Sequence, residues 1–153
     1  MAASRAARLA PVIDMAERAE RDAARLFGQG QAQLAQAETK LGELQQYFGD
    51  YQQQWMTQGS LGVSGQWLLN YQRFLSQLES AIGQQQRSVE WHRNNIDKLR
   101  EQWQQRRARL DGLRKLVDRY LQEARTAADK REQKLLDEFS QRLAGRPKQE
   151  EAC

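Results

Sequence analysis

From Ile13 to Trp55, apolar or small residues recur at alternating spacings of three and four: Ile13, Ala16, Ala23, Phe27, Gly30, Leu34, Ala37, Leu41, Leu44, Phe48, Tyr51 and Trp55. This a/d heptad pattern turns one narrow stripe of a helix towards a partner and implies a left-handed supercoil. Glu20 is the exception at an a position, and the small Ala23 and Gly30 predict a thin, weakly packed seam between 16 and 30. Pro11 has no amide hydrogen and clashes with the preceding turn, so the regular helix is expected to begin close to it. That gives a first helix over about 9–58, with residues 1–8 loose or helical only when bound.

The stretch 59–65 holds three of the ten glycines and breaks the heptads, which predicts a bend between two helices. Ser64 is placed to cap a second helix over about 66–144. Its seam runs Leu68, Tyr71, Leu75, Leu78, Ile82, Gln85, Val89, His92, Ile96, Leu99, Trp103, Arg106, Leu110, Leu113, Val117, Tyr120. Near Val117 a slip of four residues shifts the stripe to Leu121, Ala124, Ala128, Leu135, Phe139 and Arg142, a stutter that locally unwinds a supercoil. Gly145-Arg146-Pro147 supplies a stop, leaving 145–153 as a tail.

The expected fold is all-α: a single long two-helix antiparallel coiled-coil hairpin over 1–153 with an overhanging C-terminal helix. If the bend centres on 62, residue i faces residue 124 − i, so Phe48 lies near Ser76 and Ile13 near Asp111. Nothing remains to face the chain beyond about 120, although Leu121, Leu135, Leu136, Phe139 and Leu143 share or border one face. An unpaired apolar stripe argues for a missing partner, or for fraying in solution.

Composition narrows the function. The chain is 39% hydrophobic and 29% charged with two prolines, as in a helical assembly with little core. A net charge of +4 is spread among interleaved acids, without a concentrated basic stripe or a ligand-spaced Cys/His set, which disfavours nucleic acid. Residues 1–15 lack the apolar run of a secretory signal and no segment is long enough to span a bilayer, so a cytoplasmic protein is expected. Cys153, the single cysteine, has no partner for a disulfide or a metal. A two-stranded coiled coil offers no pocket for catalysis, so no enzyme activity, cofactor or metal is expected. His92, the one histidine, sits at a d position and is expected to be a satisfied seam residue.

Two groups of residues stand out. Seven of the twelve aromatics, Tyr47, Phe48, Tyr51, Trp55, Trp67, Tyr71 and Phe74, lie near the bend. Tyr47, Trp67 and Phe74 fall at g positions, with Ala81 continuing the stripe, where they either present an apolar face to a protein partner or sheath a widened hairpin end. Near the termini, Arg106, Arg107, Arg109, Arg114 and Lys115 are expected beside Arg5, Arg8 and Arg18, forming a basic collar or simply a solvated face.

Arg8 to Glu17, Asp22-Ala-Ala-Arg25, Leu44-Gln-Gln-Tyr47 with Tyr51, Trp67-Leu-Leu-Asn-Tyr-Gln-Arg-Phe74, Leu78 to Ile82 with Gln84 to Gln86, Trp103, and Asp137-Glu-Phe-Ser-Gln-Arg142 form a series of segments spread over nearly the whole chain. In these segments the sequence resembles, nearly end to end, the flagellar type III export protein FliJ family. The Asn-Tyr-Gln-x-Phe segment after the bend and the Asp-Glu-Phe ending are its discriminating parts. The resemblance implies a non-enzymatic cytosolic component of the export apparatus, similar to the stalk subunit of rotary ATPases. Its partners would be a hexameric export ATPase ring, the membrane export gate protein FlhA and export chaperones, so that it meets the inner membrane only through partners. Gate-contact positions carry over as Leu44, Tyr47, Tyr51, Phe74, Leu78, Ala81 and Gln85, the last standing where a histidine can appear. The ring contact is expected from the basic collar with Leu135 and Phe139 of the overhang. The alternative is a structural coiled-coil protein that self-assembles through the same stripes; a membrane-surface helix would need a broader apolar face.

Overall fold

A computed structural model describes residues 1–145, and in it the chain is an all-α hairpin of two helices packed on one another. Helix α1 spans Ala2–Gly59 and α2 spans Gly65–Ala144. The expected stop at Arg146-Pro147, the tail and Cys153 lie outside the described residues.

The bend follows from two local devices. Gly62 adopts φ 84°, in the left-handed region where a Cβ is strained, and the amides of Leu61 and Gly62 donate to the carbonyls of Gln58 and Gly59. Ser64 then caps α2: the Trp67 amide donates to its Oγ at 3.1 Å and the Leu68 amide to its carbonyl at 3.1 Å.

Contacts divide the chain into two units, each containing a segment of both helices. The bend unit is Glu20–Arg106, and the terminal unit combines Met1–Ala19 with the chain from Arg107 on. Within the bend unit, residues 20, 23, 27, 30, 34, 37, 41, 44, 48, 51 and 55 of α1 are buried or half-buried, as the heptads predict. On α2 the same holds from Leu68 to Trp103; Arg106 alone of the expected seam is exposed. The register matches the expected one: Tyr51 stacks on Tyr71 and Glu20 meets Trp103, while in the terminal unit Arg5 lies over Tyr120.

The two helices contribute unequal side chains. Every buried residue of α1 is small, namely Ala6, Ala16, Gly30 and Ala37, whereas α2 buries Tyr71, Leu78, Val89, Ile96 and Leu110. A Cβ on Gly30 would come within 2.7 Å of Leu99 Cδ1. The seam around 16–30 is therefore not thin: large α2 residues fill what the small α1 residues leave. Glu20 fits it because Trp103 Nε1–H donates to its Oε1 at 3.0 Å, giving a half-buried carboxylate a partner.

Three further expectations change. Helix α1 starts well before Pro11, which sits inside it. The cost of a proline in a helix, about 3 kcal/mol, is offset by the first turns packing, with Ala6 buried and the Arg5 guanidinium 5.8 Å from the Tyr120 ring centroid. The stutter does not affect the contact: Leu113, Val117, Tyr120 and Ala124 keep three-four spacing and are half-buried, while Leu121 is 43% exposed. Beyond Ala124 every described residue of α2 is exposed, so no contact registers a shifted stripe. Finally, His92 is not satisfied, since its buried Nδ1 has no hydrogen-bond partner and its ring meets Trp91 edge-to-face, with centroids 5.0 Å apart.

Three substitutions test this packing. Gly42→Ala, where a Cβ meets nothing within 4 Å, should raise stability by about 1 kcal/mol. Gly30→Leu should lower it by about 1–3 kcal/mol through overpacking against Leu99, and urea denaturation midpoints distinguish the two. His92→Leu should stabilise by about 1 kcal/mol by removing an unpartnered buried nitrogen; a lower midpoint would mean that Nδ1 is paired in solution.

Candidate functional surfaces

Six aromatic rings run along the bend unit, alternating between the helices. Trp55 stacks on Trp67 and on Tyr71, with centroids 5.4 and 4.8 Å apart, and Tyr71 stacks on Tyr51 at 5.2 Å. Tyr51 meets Phe74 at 4.5 Å, and Phe74 meets the edge of Tyr47 at 6.1 Å. Such ring pairs add about 0.5–1.5 kcal/mol each beyond area burial. Burial raises the pKa of the Tyr71 hydroxyl, with a further contribution from Tyr51.

The g-position aromatics thus serve packing to different degrees. Trp67 and Phe74 are half-buried members of the series, whereas Tyr47 keeps 52% of its surface exposed. Of the seven residues assigned to gate contact, Tyr47, Tyr51 and Phe74 form one cluster, with Tyr47 and Tyr51 6.3 Å apart. Leu44 and Ala81 are half-buried, and Leu78 is a buried core residue able to act on a partner only through its neighbours. Gln85 is turned into the seam, where its Nε2 donates to the Ala37 carbonyl at 3.0 Å. The flank nevertheless is wider than a bare a/d stripe, because Trp67, Phe74, Ala81, Ser88 and Asn95 at successive g positions are all half-buried.

In the terminal unit, Arg5 is engaged with Tyr120, and Arg114 Nη2 donates to Glu17 Oε1 at 3.3 Å. Arg8, Arg18, Arg107, Arg109 and Lys115 are exposed in the same unit, while Arg106 belongs to the bend unit. An exposed ion pair such as Arg114–Glu17 contributes about 1 kcal/mol or less, so these side chains do little for stability. Beyond Ala124 every described residue of α2 is exposed, including Leu135 at 66% and Phe139 at 60%. Leu136 and Leu143 are exposed beside them, which leaves about 30 Å of helix with an uncovered apolar face.

Sequence reasoning missed Trp91, which is exposed, and the pairing of Glu20 with Trp103. The second was accessible from the register, since 20 and 103 nearly satisfy the rule that paired i with 124 − i; nothing in the periodicity singles out the first. Among the described residues, no three His, Cys, Asp or Glu side chains gather as metal ligands.

The model of the family described as "Flagellar FliJ protein" matches residues 5–149 of this chain. The flagellar FliJ protein of Escherichia coli (strain K12) is 33% identical over 138 residues, covering 90% of this chain and 94% of that protein. That of Salmonella typhi is 34% identical over 133 residues, covering 87% and 90%. No solved structure matches. A hairpin whose Asn70-Tyr71-Gln72-x-Phe74 segment supplies two members of the ring series, and which is matched over nearly its whole length, belongs to the flagellar FliJ family.

Proposed function

We propose that this chain is a non-enzymatic component of the flagellar type III protein export apparatus. The terminal unit binds the hexameric export ATPase ring and promotes its assembly and activity. The flank centred on Tyr47, Tyr51 and Phe74 binds the export gate protein FlhA, so the two continuous helices link ring to gate, and the chain also handles export chaperones.

The observation that carries this reading is the uncovered face of α2 beyond Ala124. Propensity alone stabilises an isolated helix poorly, and a stripe containing Leu135, Leu136, Phe139 and Leu143 is suited to burial against another protein. The exposed Arg8, Arg18, Arg109 and Lys115 of the same unit supply positive charge that steers and orients docking more than it adds affinity. The Tyr47 cluster supports the gate contact because rings with one free face are typical binding anchors.

Truncation after Ala124 should abolish stimulation of the cognate export ATPase while leaving helical content per residue and the unfolding midpoint unchanged, because no described residue beyond it is buried. Phe74→Ala should retain stimulation. Full stimulation by the truncated chain would overturn the ring assignment, and mass rising with concentration in a chain without stimulation would favour the self-assembling coiled coil. On the gate side, Tyr47→Ala should weaken binding to the isolated gate protein by roughly tenfold or more with little effect on stability, as its exposure predicts; unchanged binding would remove Tyr47 from that surface.

A further inference from the structure

Between Asp50 and Arg73 the sequence has no Asp, Glu, Lys or Arg. At the chain's average of 29% charged, those 22 residues would carry about six. The gap covers about the last two turns of α1, the loop, and the first two turns of α2, so charge is missing from every face of the bend and not from one stripe. Apolar side chains project from this end: Leu61 is 82% exposed, Met56 74%, and Val63 and Leu69 are also exposed. Next to the loop lie the stacked indoles of Trp55 and Trp67, and the remaining polar side chains of the stretch are neutral Gln, Ser, Thr, Asn and Tyr.

The distribution discriminates between surroundings. A protein-docking face needs an apolar centre on one side, and its rim gains orientation from charges. A bend stripped of charge all round fits surroundings of low dielectric on all sides, where each charge carries a desolvation cost wherever it points. The interface of a lipid bilayer has this property, favours tryptophan, and offers neutral side chains hydrogen-bonding partners among the headgroups.

We propose that the bend inserts end-on into the headgroup region of a lipid bilayer, with Leu61 and Val63 leading and Trp67 behind them. The loop and the adjoining turn of each helix, about 5 Å, match the usual depth of interfacial insertion. This differs from a helix lying along the membrane, which the narrow seam and interleaved charges of the rest of the chain disfavour, and from spanning: no described helix is long and apolar enough to cross a membrane. It goes beyond the proposed gate contact because it gives the chain a membrane contact of its own.

The test is flotation of the full chain with pure phosphatidylcholine vesicles, at low and high salt, with tryptophan emission as a second readout. The expected result is co-flotation that salt does not weaken, a blue shift in emission, and a loss of roughly tenfold or more in partitioning for the double variant Leu61→Asp, Val63→Asp. Leu61→Ser alone should give a smaller loss, and circular dichroism of both variants should match the parent because these side chains are exposed. The proposal is overturned by no flotation, by flotation only on anionic vesicles that high salt reverses, or by equal flotation of the double variant. It is equally overturned if the parent does not float and the double variant loses binding to the isolated gate protein, which would make the bend a protein-docking element.

Discussion

A pair of helices has no interior, and every other feature of this chain depends on that constraint. Each helix offers the other only one stripe, and no side chain among the described residues is completely enclosed. Cohesion therefore rests on complementary volumes along the stripe. Here α1 supplies Ala6, Ala16, Gly30 and Ala37 while α2 supplies Tyr71, Leu78, Val89, Ile96 and Leu110. Small residues on one side let the helices approach closely enough for large ones on the other to lose most of their contact with water, the interdigitation on which packing density depends. The arrangement also ties α1 to its register, because a slide that moved Gly30 off Leu99 would set a Cβ from a neighbouring turn against the same side chain.

Departures from apolar periodicity are accommodated by pairing. Glu20 in the seam meets the Trp103 indole, and that indole in turn stacks 6.0 Å from Phe27, over which Arg100 places its guanidinium at 5.6 Å. A carboxylate, two rings and a guanidinium thus complete a stretch that aliphatic residues fill elsewhere. Gln85 does likewise by donating to the Ala37 carbonyl. His92 is the exception, retaining an unpartnered Nδ1 beside Trp91.

Much of the fold was legible because a two-stranded seam is read one residue at a time. Spacing alone assigned Ile13 to Trp55 and Leu68 to Tyr120 to the contact, and only Arg106 was misplaced. The start of α1 was not legible, since the rule against proline within a helix is local while the packing of Ala6 and Arg5 that overrides it is tertiary. The apparent stutter at Val117 misled for the opposite reason: a shift in pattern has structural meaning only where a partner helix is present to register it. Of the candidate surfaces, the overhang was visible as an excess of length. The aromatic flank was visible only as composition, and which rings keep a free face depended on stacking geometry that spacing does not encode.

With its two facing stripes consumed by the seam, a hairpin has three places left for recognition: the flanks beside the seam, the length by which one helix outruns the other, and the bend. Each is chemically distinct here. The flank carries Tyr47 half-free against Phe74, the excess length carries Leu135 and Phe139 in a unit rich in exposed arginine, and the bend carries Leu61 without any charge nearby in sequence. None of the three needs its exposed residues for cohesion, since the buried ones lie elsewhere. Recognition and stability are thus assigned to different residues of the same helices, and a surface change at any of the three leaves the Gly30–Leu99 register intact.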